Sequence, residues 1–195
     1  MGVMKSMSSQ TNKNSHIYYK RGASISKLTI AAMLSCLALI FSYIEFLIPI
    51  DFGMPGIKLG LANLLIIIAL YGLEWKYALA INLVRITLSG LLFSGVFGVV
   101  YSLSGGLLSF FVMAILKKTK KFSIVGVSMA GGVFHNLGQI LVAAKLVSNI
   151  KIFYYFPFLL FSGIATGILI GLFTYYLAIK MPSGLFPSLK KNVLI

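Results

Sequence analysis

The forty residues at positions 77–116 carry a single charged side chain, Arg85. One helix of that length would be about 60 Å long, roughly twice the thickness of the hydrocarbon core of a bilayer. The segment must therefore fold back on itself. We expect the reversal where small residues concentrate, at Ser89, Gly90, Ser94, Gly95 and Gly98. The sequence thus predicts two membrane-spanning helices here, the third and fourth of the chain.

Four further apolar runs are long enough, or nearly so, to cross a membrane, since a spanning helix needs about 20 apolar residues. They extend over residues 28–48, 57–73, 122–144 and 153–179. A soluble domain has too little interior to hide side chains that are 59% hydrophobic. We therefore predict an all-α integral membrane protein with six transmembrane helices over residues 25–181. A flexible cytoplasmic tail is expected at 1–24 and a second tail at 182–195.

The basic residues follow the positive-inside rule if both termini are cytoplasmic. The chain has 17 Lys and Arg against three acidic residues, a formal net charge of +14. Thirteen of the 17 fall in segments that this topology places inside, whereas the outer loops hold Lys58, Lys145 and Lys151. Topology therefore accounts for the charge without a nucleic-acid partner. It predicts a multi-pass protein of a bacterial inner (cytoplasmic) membrane, with the lipid bilayer as its surroundings.

The shortage of carboxylates excludes most enzyme mechanisms. Glu45, Asp51 and Glu74 are the whole acidic complement, and Cys36 is the single cysteine. General acids, bases and metal ligands come mainly from carboxylates, His and Cys, and the chain has two His. We expect no enzyme activity, metal, cofactor or disulfide framework. The sequence also lacks a Gly-x-x-x-x-Gly-Lys-Ser/Thr phosphate loop, so transport energy would come from partners or an ion gradient.

Polar side chains within the predicted spans mark a candidate substrate pocket that opens to the outside. Polar groups are costly in a membrane, so their positions point to pathways, pockets or helix contacts. The candidate substrate-binding residues are Lys58, Asn63, Asn82, Arg85, His135, Asn136 and Gln139. Their net positive charge, with no carboxylate in the deeper part, favours an anionic or strongly hydrogen-bonding ligand.

Each of these residues also has a structural interpretation. Asn82 and Asn136 can link helices by hydrogen bonds without contacting a substrate. A neutral His135 can likewise bond to a neighbouring helix. For Arg85 we favour a functional role, because a guanidinium deep in a membrane needs water, a ligand or carbonyl partners.

Glu45 lies near the outer end of the first predicted span. Two roles are open for it. It can pair with Lys58 or Arg85, which would be an architectural use of the carboxylate, or it can contact a substrate.

Small side chains mark two helix faces that a neighbouring helix can approach closely. On the last predicted span, Gly163, Gly167 and Gly171 recur at four-residue steps. The first span carries a looser set, namely Ala31, Ala32, Ser35 and Cys36. Either face can serve packing within the bundle or contact with another membrane subunit.

Three motifs carry a resemblance to a known family: PGIKLGLAN at 55–63, NLVR at 82–85 and GGVFHNLGQ at 131–139. Through them, residues 25–180 resemble the Gx transporter family, whose members are often labelled heptaprenyl diphosphate synthase component I. That family is similar in architecture to the S components of energy-coupling factor transporters. S components are six-helix membrane proteins that capture vitamins or precursors outside the cell.

The resemblance implies a membrane substrate-binding subunit that hands its cargo inward. Together with the basic pocket, it gives the hypothesis of a small anionic precursor related to isoprenoid or quinone metabolism. It also implies partners, namely a membrane coupling subunit and two cytoplasmic ATPases. The coupling subunit would dock on the small-residue face of the first helix, at Ala31, Ala32, Ser35 and Cys36. The loop at 49–56 would act as a lid over the pocket.

Two other functions stay open. The first is a stand-alone secondary transporter, in which His135 would have to relay protons. The second is a non-catalytic accessory subunit of a prenyl diphosphate synthase, binding the enzyme through the basic turn at 117–121. Synthase chemistry itself is not expected, because prenyl synthases of the usual kind hold magnesium and diphosphate with two aspartate-rich clusters. This chain has one Asp, Asp51.

Overall fold

The computed structural model describes residues 2–48, 60–182 and 186–193, with side chains from Ser24 onward except at Pro187. Every regular element in these ranges is helical, which confirms the all-α prediction. In chain order the elements are α1 (Gly2–Leu47), α2 (Leu61–Gly72), α3 (Trp75–Ser89), a π-helical turn (Gly90–Ser94), α4 (Gly95–Thr119), α5 (Ile124–Val147), a 3-10 turn (Ile150–Tyr155), α6 (Phe156–Lys180) and α7 (Pro187–Val193).

Four helical stretches of the described chain are long and apolar enough to cross a membrane. They are Ser24–Leu47, Trp75–Thr119, Ile124–Val147 and Ile150–Lys180. Large apolar side chains also cover their outward surfaces, for example Phe97 on α4 and Phe161 on α6. Surfaces of this kind are typical of helices that face lipid rather than water. The described chain therefore has the pattern of a multi-pass membrane protein.

The 45-residue stretch Trp75–Thr119 folds back on itself at Gly95, one of the small residues at which we expected the reversal. Gly95 has φ 68°, in the region that favours glycine, and it separates the π-helical turn from α4. The two arms run antiparallel. Asn82 Nδ2 on α3 donates a hydrogen bond to the carbonyl of Gly106 on α4 at 3.0 Å, and Gly90 lies against Val99.

Helices α4, α5 and α6 form an antiparallel layer in which glycines bring the backbones into contact. A Cβ placed on Gly163 would lie 2.8 Å from the carbonyl of Gly132, and Gly167 and Gly171 approach α5 as closely. On its other side α5 meets α4 in the same way, through Gly138. The glycine face of α6 is thus a packing surface inside the bundle, which decides between the two roles left open for it.

Helix α2 lies at the centre of the bundle, where ten of its twelve residues are buried. It contacts α1, α3, α6 and α7. Its sequence LANLLIIIALYG is apolar on all faces, as expected of a helix surrounded by protein. With a length of about 18 Å, α2 is shorter than a spanning helix. The described helix, Leu61–Gly72, is thus shorter than the span predicted over 57–73, of which 57–59 lie outside the described residues.

Polar groups from other helices satisfy carbonyls at the C-terminal end of α2. Lys117 Nζ, near the end of α4, donates to the carbonyl of Leu70 at 2.5 Å and lies 5.1 Å from the ring centre of Tyr71. Asn192 Nδ2 on α7 donates to the carbonyl of Tyr71 at 3.0 Å. The ammonium group also complements the negative end of the helix dipole.

The C-terminal segment packs against the bundle. Phe186 and Leu189 are 4% and 1% exposed. The ring of Phe186 lies over Gly72, where a Cβ would be 2.7 Å from it. The cytoplasmic location of the tail predicted at 182–195 stays a prediction. At the other terminus the backbone is helical from Gly2 to Leu47, and the flexibility predicted for the tail at 1–24 also stays a prediction.

Several segments that the positive-inside rule assigns to the cytoplasm meet at one end of the bundle. Lys27 on α1 forms an ion pair with Glu74, at 2.5 Å, just before α3 begins. That hydrogen bond and charge hold the pKa of the Glu74 carboxyl below its ordinary value. The end of α4 and helix α7 lie against the same end of α2. We call this region, formed by Lys27, Glu74, the C-terminal ends of α2 and α4, and α7, the basic end.

Replacing Gly163 with Ala should destabilise the protein by about 1–3 kcal/mol, because the added methyl group must push α5 and α6 apart. The matched control is Gly126→Ala on α5, where the atom nearest to a new Cβ is 3.6 Å away and Ala favours the helix. The measurement is the thermal midpoint of the protein in mild detergent. Equal midpoints for the two variants would contradict the close helix contact.

Replacing Lys117 with Met should destabilise the protein by about 1.5–3 kcal/mol, because it removes a charged donor from the Leu70 carbonyl while keeping an apolar stem. Lys118→Met is the control, since Lys118 is the exposed neighbour on the same turn. Thermal midpoints in detergent again report the difference. If the two variants melt together, the contact does not stabilise α2.

Candidate substrate-binding site

A cavity of about 50 Å³ lies between α1, α2, α3, α5 and α6, at the end of α2 opposite to the basic end. Its lining consists of Glu45, Gly60, Asn63, Arg85, Gly132, His135, Asn136, Thr166, Gly167 and Ile170. At about 10–15 Å³ for each water, this volume holds roughly three to five water molecules. It matches a small polar ligand or the polar group of a larger one, because pockets for drug-sized ligands measure roughly 300–1,000 Å³.

The structure brings four of the seven predicted binding residues together at this cavity, namely Asn63, Arg85, His135 and Asn136. Two others lie elsewhere. Asn82 is buried behind Arg85, and Gln139 is buried on the side of α5 that faces Gly105 of α4. Lys58 is outside the described residues.

Asn82 positions Arg85. The Nη2 of Arg85 donates to Asn82 Oδ1 at 2.9 Å, one turn away on α3, while Asn82 Nδ2 donates to the Gly106 carbonyl on α4. Arg85 Nε is buried and has no hydrogen-bond partner in the described chain. Among the described residues, the ion pair found within 4.0 Å is Lys27–Glu74, at the basic end. No described carboxylate therefore lies within 4.0 Å of the Arg85 guanidinium. A guanidinium has five N–H donors, so the bond to Asn82 leaves Arg85 further terminal N–H groups at the wall of the cavity.

Glu45 is the one acidic side chain of the described lining. Its Oε1 accepts a hydrogen bond from the backbone N–H of Leu61 at 2.8 Å, where Gly60 turns the chain into α2 with φ 74°. A carboxylate at this place complements the positive end of the helix dipole. The pairing with Arg85 considered above is not made at direct contact distance, and Lys58 is outside the described residues.

Glu45 adds a negative charge to the described lining of the pocket. The sequence predicts a net positive pocket without a carboxylate in its deeper part, and Lys58, one of its expected positive groups, lies outside the described residues. In the structure, Glu45 and Arg85 line the same cavity, so the formal charges of its described lining cancel when His135 is neutral. The cavity is therefore a site with separated charges of both signs.

Helices α5 and α6 contribute hydrogen-bonding groups to the opposite wall. Asn136 Nδ2 donates to the carbonyl of Leu159 on α6 at 2.6 Å, so this residue does link helices. The hydroxyl of Thr166 donates to the Ser162 carbonyl at 2.9 Å, which leaves its oxygen as an acceptor. Sequence reasoning missed Thr166. The available signal was a hydroxyl next to the glycine face of α6.

The proposed docking face on α1 divides between the interior and the surface. Ala31 is buried, and its carbonyl accepts a hydrogen bond from the hydroxyl of the half-buried Ser35 at 2.9 Å. Ala32 and Cys36, four residues apart, are exposed. An outward small-residue face therefore remains at Ala32 and Cys36, while Ala31 packs within the bundle.

Two other predictions concern lids and metals. The predicted lid at 49–56 lies outside the described residues, as does Asp51. Among the residues that the structure does describe, no cluster of three or more His, Cys, Asp or Glu is placed to hold a metal ion.

A family model described as heptaprenyl diphosphate synthase component I matches residues 34–177 of the chain. This range includes every described residue of the cavity lining. No curated protein and no solved structure shows a significant match to the chain. The family's description refers to one component of a synthase, which agrees with the expectation that this chain is not itself the enzyme.

Replacing Asn82 with Ala should destabilise the protein by about 1–3 kcal/mol, because it leaves Arg85 Nη2 and the buried Gly106 carbonyl without their partner. Thr87→Ala, an exposed position on the same helix, is the control. Thermal midpoints in mild detergent provide the comparison. An Asn82→Ala variant as stable as the Thr87→Ala variant would contradict the positioning role.

Proposed function

This chain belongs to the heptaprenyl diphosphate synthase component I family, and we propose that it is the substrate-binding subunit of an uptake transporter of energy-coupling-factor type. One observation supports the proposal above all: the guanidinium of Arg85, which has more N–H donors than its bond to Asn82 uses, lines a cavity that five helices enclose within an apolar bundle. Such a group in a membrane protein is expected to contact a ligand or a transport pathway.

The proposed topology has six crossings, with the basic end in the cytoplasm. Helix α3 and the π-helical turn together span 75–94, which at 1.5 Å per residue is about 30 Å, the thickness of the hydrocarbon core. Helix α2 is short, but its neighbours enclose it. The lysines grouped at the basic end favour a cytoplasmic location for that end. The cavity then opens toward the outside of the cytoplasmic membrane.

The proposed cargo is a small solute with an anionic group. Guanidinium groups bind carboxylates and phosphates through charge-assisted hydrogen bonds, and Arg85 lines the cavity. The charge of Glu45 is offset in part by the N-terminus of α2, whose first N–H it accepts. The family's description suggests a precursor related to isoprenoid or quinone metabolism.

Transport driven by ATP would require partners, because the sequence has no phosphate-binding loop for a nucleotide. We expect a membrane coupling subunit to contact α1 at its exposed small residues, Ala32 and Cys36. Two ATPases would act from the cytoplasmic side. Small residues at this position allow close approach of a second helix.

A second candidate function is a non-catalytic membrane subunit of a prenyl diphosphate synthase. The family's description favours it directly, since a component I requires another component. In this case the soluble enzyme would bind at the basic end, near the exposed Lys118 and Lys121. A stand-alone secondary transporter is the third possibility, in which His135 at the cavity would carry protons.

The first test is affinity purification of the tagged protein from mild detergent, with mass spectrometry of the proteins that accompany it. We expect a membrane coupling subunit and two ATPases. Ala32→Leu should abolish their recovery, whereas Ala80→Leu, an exposed alanine on α3, should not. Recovery of a prenyl synthase would favour the accessory subunit. A protein recovered alone, with uptake that collapses when the ion gradient is dissipated, would favour the secondary transporter.

The topology predicts which positions a membrane-impermeant maleimide reaches in intact cells. In a Cys36→Ser background, Ser148→Cys at the end of α5 should be labelled from outside. Thr119→Cys at the end of α4 should react only after permeabilisation. Both positions are exposed ends of apolar helices, so they are matched in accessibility. The reverse labelling pattern would place the basic end outside and contradict the topology.

A further inference from the structure

We propose that the cavity binds a compact zwitterion, with its anionic group on Arg85 and a cationic amine on Glu45. The proposal rests on the proposed function, because it takes this cavity as the substrate site, and it adds the chemical class of the cargo. The chemistry described is that of a small amino acid or a similar molecule.

Two side chains of opposite charge line the cavity. Glu45 comes from α1 and Arg85 from α3, and both line the same cavity. They do not approach within 4.0 Å of each other, as the ion pair found in the described chain is at the basic end. Opposite charges that line one cavity without forming an ion pair can each pair with the opposite charge of a ligand in that cavity.

Arg85 and Glu45 each have hydrogen-bonding capacity beyond the contacts that the structure shows for them. A guanidinium has five N–H donors, and one terminal nitrogen of Arg85 bonds to Asn82, so further terminal N–H groups remain for a ligand. Glu45 accepts one hydrogen bond from a described backbone group, at Leu61, whereas a carboxylate has sites for about four. Both groups can therefore bind a further charged partner without loss of the contacts that hold them.

A ligand with a single charge would bind in this cavity at a cost in free energy. Inside a low-dielectric bundle, an unpaired charge is costly and a like charge nearby is repelled. An anion on Arg85 would face the Glu45 carboxylate, and a multiply charged diphosphate would do so more strongly. A zwitterion pairs with both groups and brings no net charge into the membrane.

The volume of the cavity limits the size of the ligand. A cavity of about 50 Å³ accepts the volume of roughly three to five water molecules. The amine and the anionic group must then lie close together in the ligand, as they do on the α-carbon of an amino acid. Asn63 and Thr166 supply additional hydrogen-bonding groups around it.

The test uses three matched probes on the purified full-length chain in mild detergent: alanine, propionate and ethylamine. Propionate lacks the amine of alanine, and ethylamine lacks its carboxylate. A bound ligand raises the thermal midpoint by mass action. We expect alanine to raise the midpoint and to bind at least about tenfold more tightly than either single-charge probe, because each of those leaves one charged group unpaired.

Variants of Glu45, Arg85 and the cavity residue Asn63 test whether alanine binds between the two charged side chains. Glu45→Gln keeps an acceptor for the Leu61 N–H but removes the charge, so it should weaken alanine binding by about tenfold or more while propionate gains affinity. Arg85→Gln should lose the response to alanine and to propionate. Asn63→Asp, a variant with an added acid at the wall, should reduce propionate binding further than alanine binding.

The outcomes separate the two proposals. If propionate stabilises the wild-type protein as well as alanine does, and Glu45→Gln changes neither, the zwitterion is wrong while anion capture at Arg85 stands. If no common amino acid in the same assay stabilises the wild-type chain, the zwitterion is overturned. If propionate, acetate and phosphate also fail, the proposed anion-capture function is contradicted as well. Should Glu45→Gln not fold, the probe series on the wild-type chain decides by itself.

Discussion

A helix enclosed by protein inside a membrane must find partners for its terminal amides and carbonyls, because neither water nor lipid supplies them. Helix α2 obtains them from three other helices. Glu45 of α1 accepts its first N–H, and Lys117 of α4 and Asn192 of α7 bind its last carbonyls. The negative group lies at the positive end of the helix dipole and the positive group at the negative end. Both ends of the bundle are thus organised around α2.

Residues that hold the helices together also form or orient the wall of the cavity. Glu45 is both the cap of α2 and part of the cavity wall, while Arg85 is held by Asn82, which bonds to α4. Glycine contacts between α5 and α6 bring Asn136 and Thr166 to the opposite wall. The polar groups therefore have structural roles that keep them oriented in an apolar bundle, and they retain the capacity to bind a ligand.

Part of the cavity lining could be predicted from the sequence, because a polar side chain within an apolar span is rare enough to be noticed. Asn63, Arg85, His135 and Asn136 were identified in this way and share one cavity. Gln139, on α5 as well, is buried toward α4 instead, since residues three or four positions apart share a helix face only approximately. Thr166 was not identified, because a hydroxyl bonded to its own helix backbone resembles ordinary packing until the neighbouring wall is known.

The sequence by itself determined that the described chain is helical, that several of its helices are long and apolar enough to cross a membrane, and that it reverses among the small residues near Gly95. These properties depend on local composition and on the fixed rise of a helix. Tertiary structure alone decided that α2 is a short central helix, that α7 packs against it, and that Glu45 shares a cavity with Arg85. The physical reason is that burial and charge pairing depend on which helices become neighbours, and hydropathy along the chain does not encode that choice.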